Sequence, residues 1–157
     1  MLAAMVDVPR QVTEAQMDAW IRDFDSWDLC DNCCMGLFDK TPFAYAKAMQ
    51  WSTREREFEK RAGFAMMAAL AVHDKKADND KFDRFLRAIV AGSSDSRNFV
   101  RKAVNWALRQ IGKRNEALRQ RAMATAEEIL ATGHKSGRWV ANDALRELRE
   151  RRFPDAS

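Results

Sequence analysis

Six glycines and three prolines are few interruptions for a chain of 157 residues. That scarcity excludes a turn-rich or low-complexity build and allows long unbroken helices. No segment alternates apolar and polar residues as a half-buried strand would, so the fold class expected is all-α. No run of 18 apolar residues occurs, which excludes a membrane-spanning helix. Met1 is followed by LAAMVDVP, too short and too soon acidic for a signal peptide. The three cysteines crowd into positions 30, 33 and 34. Their odd number and tight spacing exclude a disulfide framework and suit a reducing, cytoplasmic setting.

What is present reads as helix after helix. Residues 1–8 resemble the end of a helix with no beginning, stopped at Pro9. Thr13 caps the next, with Gln16 as its capping-box partner, and Met17, Trp20, Ile21 and Phe24 then share a face. Ser26 starts a helix reaching about Phe38, and Thr41-Pro42 starts another. A long helix over about 53–72 carries an apolar stripe of Phe58, Ala62, Ala65, Met66, Ala69 and Leu70. Asp78 or Asn79 opens the following one. Ser94-Asp95-Ser96 caps a helix over 97–112 that Gly112 closes. A helix over 115–131 ends at Gly133, and Ser136 caps a last one over 137–151. Small residues at Ala62, Gly63, Ala65, Ala68 and Ala69 predict close helix contacts. Helix pairs of this size suit an α-solenoid of HEAT-like repeats as well as an irregular bundle. The chain is long enough for one domain over 1–157, with 152–157 as a tail.

The formal charge is +4, which permits an anionic partner without demanding one. On the 97–112 helix, Lys102, Trp106, Arg109 and Lys113 recur at i, i+4, i+7 and i+11, with Arg101 beside them. This face is either a phosphate-contacting strip with an aromatic against a sugar or base, or a tryptophan packed between helices under basic stems. Arg61 stands in an otherwise apolar helix. It suits a bidentate phosphate contact or a pair with Glu57 or Glu59. His73 lies at a helix C-terminus, where it can meet the last carbonyls, and His134 lies in a loop. Trp20, Trp51 and Trp139 read as packing positions.

The stretch FDSWDLCDNCC, residues 24–34, mixes aromatics, carboxylates and thiols. Cys30-x-x-Cys33 has a zinc or redox spacing, but no second such pair follows and no βαβ pattern surrounds it. Buried thiols on the inward side of a helix are the reading these residues favour. That leaves Trp27 and Asp31 one turn apart on one face.

WDLCD, FEKRAGF at 58–64 and VRKAVNWALRQIGK at 100–113 together resemble the AlkD-like family of DNA alkylation repair glycosylases, over about residues 10–150. The resemblance implies a solenoid of HEAT-like repeats whose basic concave face holds double-stranded alkylated DNA, and excision of N3- and N7-alkylated purines. It implies that Asp31 is the key carboxylate, that Trp27 and Trp106 are the flanking aromatics, and that Arg61 holds a phosphate across the lesion. Lys102 and Arg109 would be further backbone contacts, with Arg101 and Lys113 on the same basic surface. No metal or cofactor enters that scheme. Against the family's usual length the chain is expected to lack one to two N-terminal helix pairs. The exposed helical face would then be covered by a second copy, making a homodimer, or in another way. Two other readings stay open: a non-catalytic DNA-binding module and a protein-interaction solenoid.

Overall fold

The computed structural model describes residues 13–23 and 27–153. Among them every regular element is helical. They are α1 (Glu14–Arg22), α2 (Trp27–Cys34), α3 (Ala44–Trp51), α4 (Glu57–His73), α5 (Asp83–Gly92), α6 (Asn98–Gly112), α7 (Glu116–Thr132) and α8 (Lys135–Glu150). Single 3₁₀ turns at Phe38–Lys40 and Asn79–Phe82 precede α3 and α5. No described helix is long and apolar enough to cross a membrane. The stub expected over 1–8, the cap expected of Ser26 and the exposed face expected at the N-terminus fall on or against residues outside the described ones. Met17 and Ile21 of α1 are fully buried within the chain.

Three helix boundaries obey the expected local chemistry. The Thr13 hydroxyl accepts from the Gln16 amide at 3.2 Å while the Thr13 amide donates to the Gln16 side chain at 2.9 Å. The Asn115 side chain accepts from the Leu118 amide at 2.9 Å, and α7 ends at Gly133 with φ +78°. Others differ. Thr41 donates its hydroxyl back to the Phe38 carbonyl at 2.8 Å, so it closes the 3₁₀ turn and α3 begins only at Ala44. Asp95 accepts from the Arg97 amide at 3.0 Å, ahead of a helix that starts at Asn98. Ser136 lies inside α8 and donates to the Asp95 carbonyl at 2.9 Å, tying two repeats rather than capping one. His73 bonds the buried Asp39 carboxylate instead of helix carbonyls.

The helices stack in two layers. Inner helices α2, α4, α6 and α8 pack in that order, each on its neighbours. Outer helices α3, α5 and α7 lie against α4, α6 and α8, and α5 also touches α7. Side-chain hydrogen bonds between repeats join residues 28 apart (Cys30–Phe58), 35 apart (Asn105–Val140) and 42 apart (Glu57–Phe99). The longest described, Arg114 to Ala71, spans 43. A chain whose contacts reach only one repeat away is a solenoid, which decides between the two architectures the sequence allows.

Helix α4 departs from the expected stripe. From Arg61 to Ala71 it is buried on every side, because α2, α3 and α6 all pack on it. Its small residues permit that crowding. A methyl group on Gly63 would lie 2.3 Å from the Ser52 amide nitrogen and 2.8 Å from the Trp51 carbonyl carbon. Gly63→Ala must therefore separate α3 from α4, and is expected to cost about 2–3 kcal/mol. Gly137→Ala meets a movable Ile129 methyl at 2.9 Å and should cost less; urea denaturation of the two variants checks the order.

Candidate active site

Asp31 and Arg61 meet between α2 and α4. Arg61 donates from Nε to Asp31 Oδ1 at 3.1 Å and from Nη2 to Oδ2 at 2.8 Å, a bidentate fork. Its Nη1 donates to the Phe99 carbonyl of α6 at 2.7 Å. The Arg61 side chain is 8% exposed and that of Asp31 19% exposed. The carboxylate is thus held by a buried cation while keeping a face to solvent. The guanidinium carbon also lies 5.9 Å from the Phe99 ring centre, and Phe99 packs on Phe58 at 5.3 Å.

Neighbouring groups fix the helices that carry this pair. Cys30 Sγ donates to the Phe58 carbonyl at 3.7 Å and Cys34 Sγ to the Ala62 carbonyl at 3.6 Å. All three cysteines are buried and free. Burial pushes the Cys33 thiol up to about 11. A hydrogen bond with Cys30, together with burial, raises that of Cys34. Cys33 and Cys34 therefore stay protonated, and Cys30 and Cys34 tie α2 to α4 as weak donors. Among the described residues no group of three His, Cys, Asp or Glu is placed to hold a metal. Glu57 accepts from the Phe99 amide at 3.2 Å, placing a negative charge on the N-terminus of α6.

Asp95 is a second anchor. It accepts from Arg97 Nε at 3.1 Å and Nη2 at 2.8 Å, and pairs with Lys60 at 3.0 Å. Burial opposes its charge, but the bonds from Arg97 and Lys60 prevail and hold the carboxyl well below the usual range.

The structure brings some of the sequence candidates together and separates others. Arg61 pairs with Asp31, not with Glu57 or Glu59, and its guanidinium faces protein groups rather than an open surface. In this arrangement three of its five N–H donors are spent on Asp31 and the Phe99 carbonyl. Trp27 lies one turn before Asp31 in α2; its side chain is outside the described residues. Trp106 is half-buried against the core and joins neither the Phe58–Phe99 stack nor the Arg61 pairs. On the basic face of α6, Lys102 is exposed. Arg109 bonds Glu147 at 3.2 Å and Asn105 at 2.8 Å, and Lys113 also pairs with Glu147. Burial works against the Glu147 charge, yet these two cations hold its carboxyl below the usual value. Arg101 lies 4.7 Å over the ring of Trp139, which is 39% exposed rather than packed away.

Phe99 escaped the sequence reading, as did the parts Glu57 and Asp95 play in tying one repeat to the next. The available signal was the repeat length: Phe58 and Phe99 stand 41 residues apart at matching helix starts, and so do Arg56 and Arg97 as N-caps.

Truncating Arg61 to Ala leaves Asp31 charged, partly buried and unpaired. A loss of about 3 kcal/mol is expected in denaturant unfolding, and Arg61→Lys should recover less than half of it, because an ammonium cannot fork. Asp95, lowered in the folded state, contributes stability above its ordinary value near 3.8 and loses it as pH falls through the lower folded value. Melting temperatures should therefore decline below about pH 4, and Asp95→Asn should be less stable at pH 7 with a shallower acid decline.

The family of DNA alkylation repair enzymes matches residues 1–148. Comparison with curated proteins and with solved structures returned no match. The match takes in α1 to α7, all but the last two residues of α8, the Asp31–Arg61 pair and the basic face of α6. This helical-repeat chain belongs to the DNA alkylation repair enzyme family, and its partner is DNA.

Proposed function

We propose that this protein is a DNA glycosylase that hydrolyses the N-glycosidic bond of N3- or N7-alkylated purines in double-stranded DNA. The observation that carries this reading is Asp31, a partly exposed carboxylate held in one orientation by a buried arginine. Alkylation at N3 or N7 makes the purine cationic and a ready leaving group. The C1′–N bond breaks with its electron pair passing to the purine, and positive charge builds on the deoxyribose. Water then adds to C1′ and loses a proton to solvent. A fixed carboxylate beside C1′ stabilises that charge without reorganising. Arg61 takes one lone pair on each Asp31 oxygen, and each oxygen keeps another for the sugar or the water.

In this reading Arg61 positions Asp31. Trp27 and Trp106 offer indole faces to the same developing cation. Arg101, Lys102, Arg109 and Lys113 hold the DNA backbone, the last two by exchanging Glu147 for phosphate.

Release of methylated purines from N-methylated duplex DNA tests the proposal. Asp31→Asn should lower the rate at least about 100-fold, the scale of losing one preorganised electrostatic group, with duplex affinity little changed. Undiminished release by Asp31→Asn would overturn the role given to Asp31. A second reading has its own support, since both oxygens of Asp31 are engaged by Arg61. Salt-sensitive duplex binding with no release by either protein would assign a non-catalytic DNA-binding module instead.

A further inference from the structure

At the far end of α4 from the Asp31–Arg61 pair lies a cleft of about 520 Å³ between the C-terminal turns of α4 and α6. It is about 15 Å along the helix from Arg61, ten residues at about 1.5 Å each. Lys75, Lys113, Arg114 and Arg151 line it, with Gln110 and Val72, and no carboxylate does. Its size is that of a small-ligand site.

Arg114 sets the character of this cleft. Its guanidinium donates to the carbonyls of Ala71 at 2.8 Å, Asp74 at 2.9 Å and Ala77 at 3.1 Å, and lies 4.4 Å over the Phe82 ring. It is fixed by neutral partners, so its charge is not cancelled by an acid. Its Nε is buried without a hydrogen-bond partner. Lys75 and Arg151 make no ion pair among the described residues. Lys113 shares the single carboxylate of Glu147 with Arg109. Cations do gather at helix C-termini, where the dipole is negative. Here, however, Arg114 already serves the Ala71 carbonyl of α4 and the Asp74 and Ala77 carbonyls just beyond it, and Lys75 and Arg151 add charge to the same end. Like charges facing one cleft repel until an anion neutralises them.

We propose that this cleft binds a phosphate group, through Lys75 and Arg151 with Gln110 as a neutral donor and Arg114 as a fixed positive charge beside them. The phosphate belongs either to a free phosphorylated molecule or to a DNA backbone crossing the C-terminal edge of the inner helices. The inference stands apart from the excision chemistry, because it uses neither Asp31 nor Arg61.

The test uses the full chain and a Lys75→Gln/Arg151→Gln double variant, its fold checked by circular dichroism. Calorimetric titration with inorganic phosphate and with deoxyadenosine monophosphate forms one arm. The salt dependence of binding to an unmodified duplex forms the other. Loss of at least tenfold in affinity for the small phosphates, with an unchanged duplex salt slope, supports a free phosphorylated ligand. A salt slope shallower by about 1.8, the value for two lost phosphate contacts, supports the DNA backbone. No change in either arm overturns the proposal. If the double variant unfolds, Arg151→Gln alone carries the same two readouts, since Arg151 follows the last helix and makes no described ion pair.

Discussion

One guanidinium joins three helices. Arg61 of α4 takes the Asp31 carboxylate from α2 and the Phe99 carbonyl from α6. Bringing an arginine into the interior is costly, and its attraction to one carboxylate does not by itself make such a pair a strong source of stability. What the fork supplies is direction. Two parallel N–H···O bonds leave Asp31 one plane and one rotamer, while the carbonyl bond stops the arginine from turning. The cysteine donors on either side of Asp31 hold α2 against the same turns of α4. The carboxylate is therefore aimed by packing and hydrogen bonds together, and a preorganised charge is what the cleavage of a glycosidic bond to an alkylated purine asks for.

That aim depends on the spacing of the stack. In a solenoid each repeat touches only its neighbours, so the geometry at Asp31 is set by α2, α3, α4 and α6 and owes little to α7 or α8. The contact between Gly63 and the backbone of Trp51 and Ser52 brings α3 and α4 close. Gly92 against the Phe64 ring does the same one repeat later. Absent side chains thereby set the separations across which the charged ones must reach.

Much of this was legible in the sequence, for identifiable reasons. Helices with a strong internal signal declared themselves: the Thr13–Gln16 box, the Asn115 start and the Gly133 stop are local chemistry. The resemblance carried by residues 100–113 pointed to the right family. Local rules failed where another repeat supplied the partner. Thr41 and Ser136 look like caps, yet their hydroxyls serve a turn and a neighbouring repeat. The all-round burial of α4 was hidden because an alanine-rich helix shows the same pattern whether one face or every face is covered. At the site, Asp31 and Arg61 could each be named, but not their union, since 30 residues separate them and only the stack brings them together.

The charges sort the remaining residues by what each can afford to give up. Arg109 and Lys113 are paired with Glu147 near the surface, where an ion pair is worth on the order of 1 kcal/mol or less and a phosphate can replace the carboxylate at little cost. Arg61 has no such freedom. Releasing Asp31 would leave a partly buried carboxylate unpaired, and the bond to the Phe99 carbonyl holds the arginine in place. Basic residues with the same formal charge are thus held to very different degrees. The half-buried pairs near the surface are free to exchange partners, whereas the buried arginine keeps the Asp31 carboxylate still.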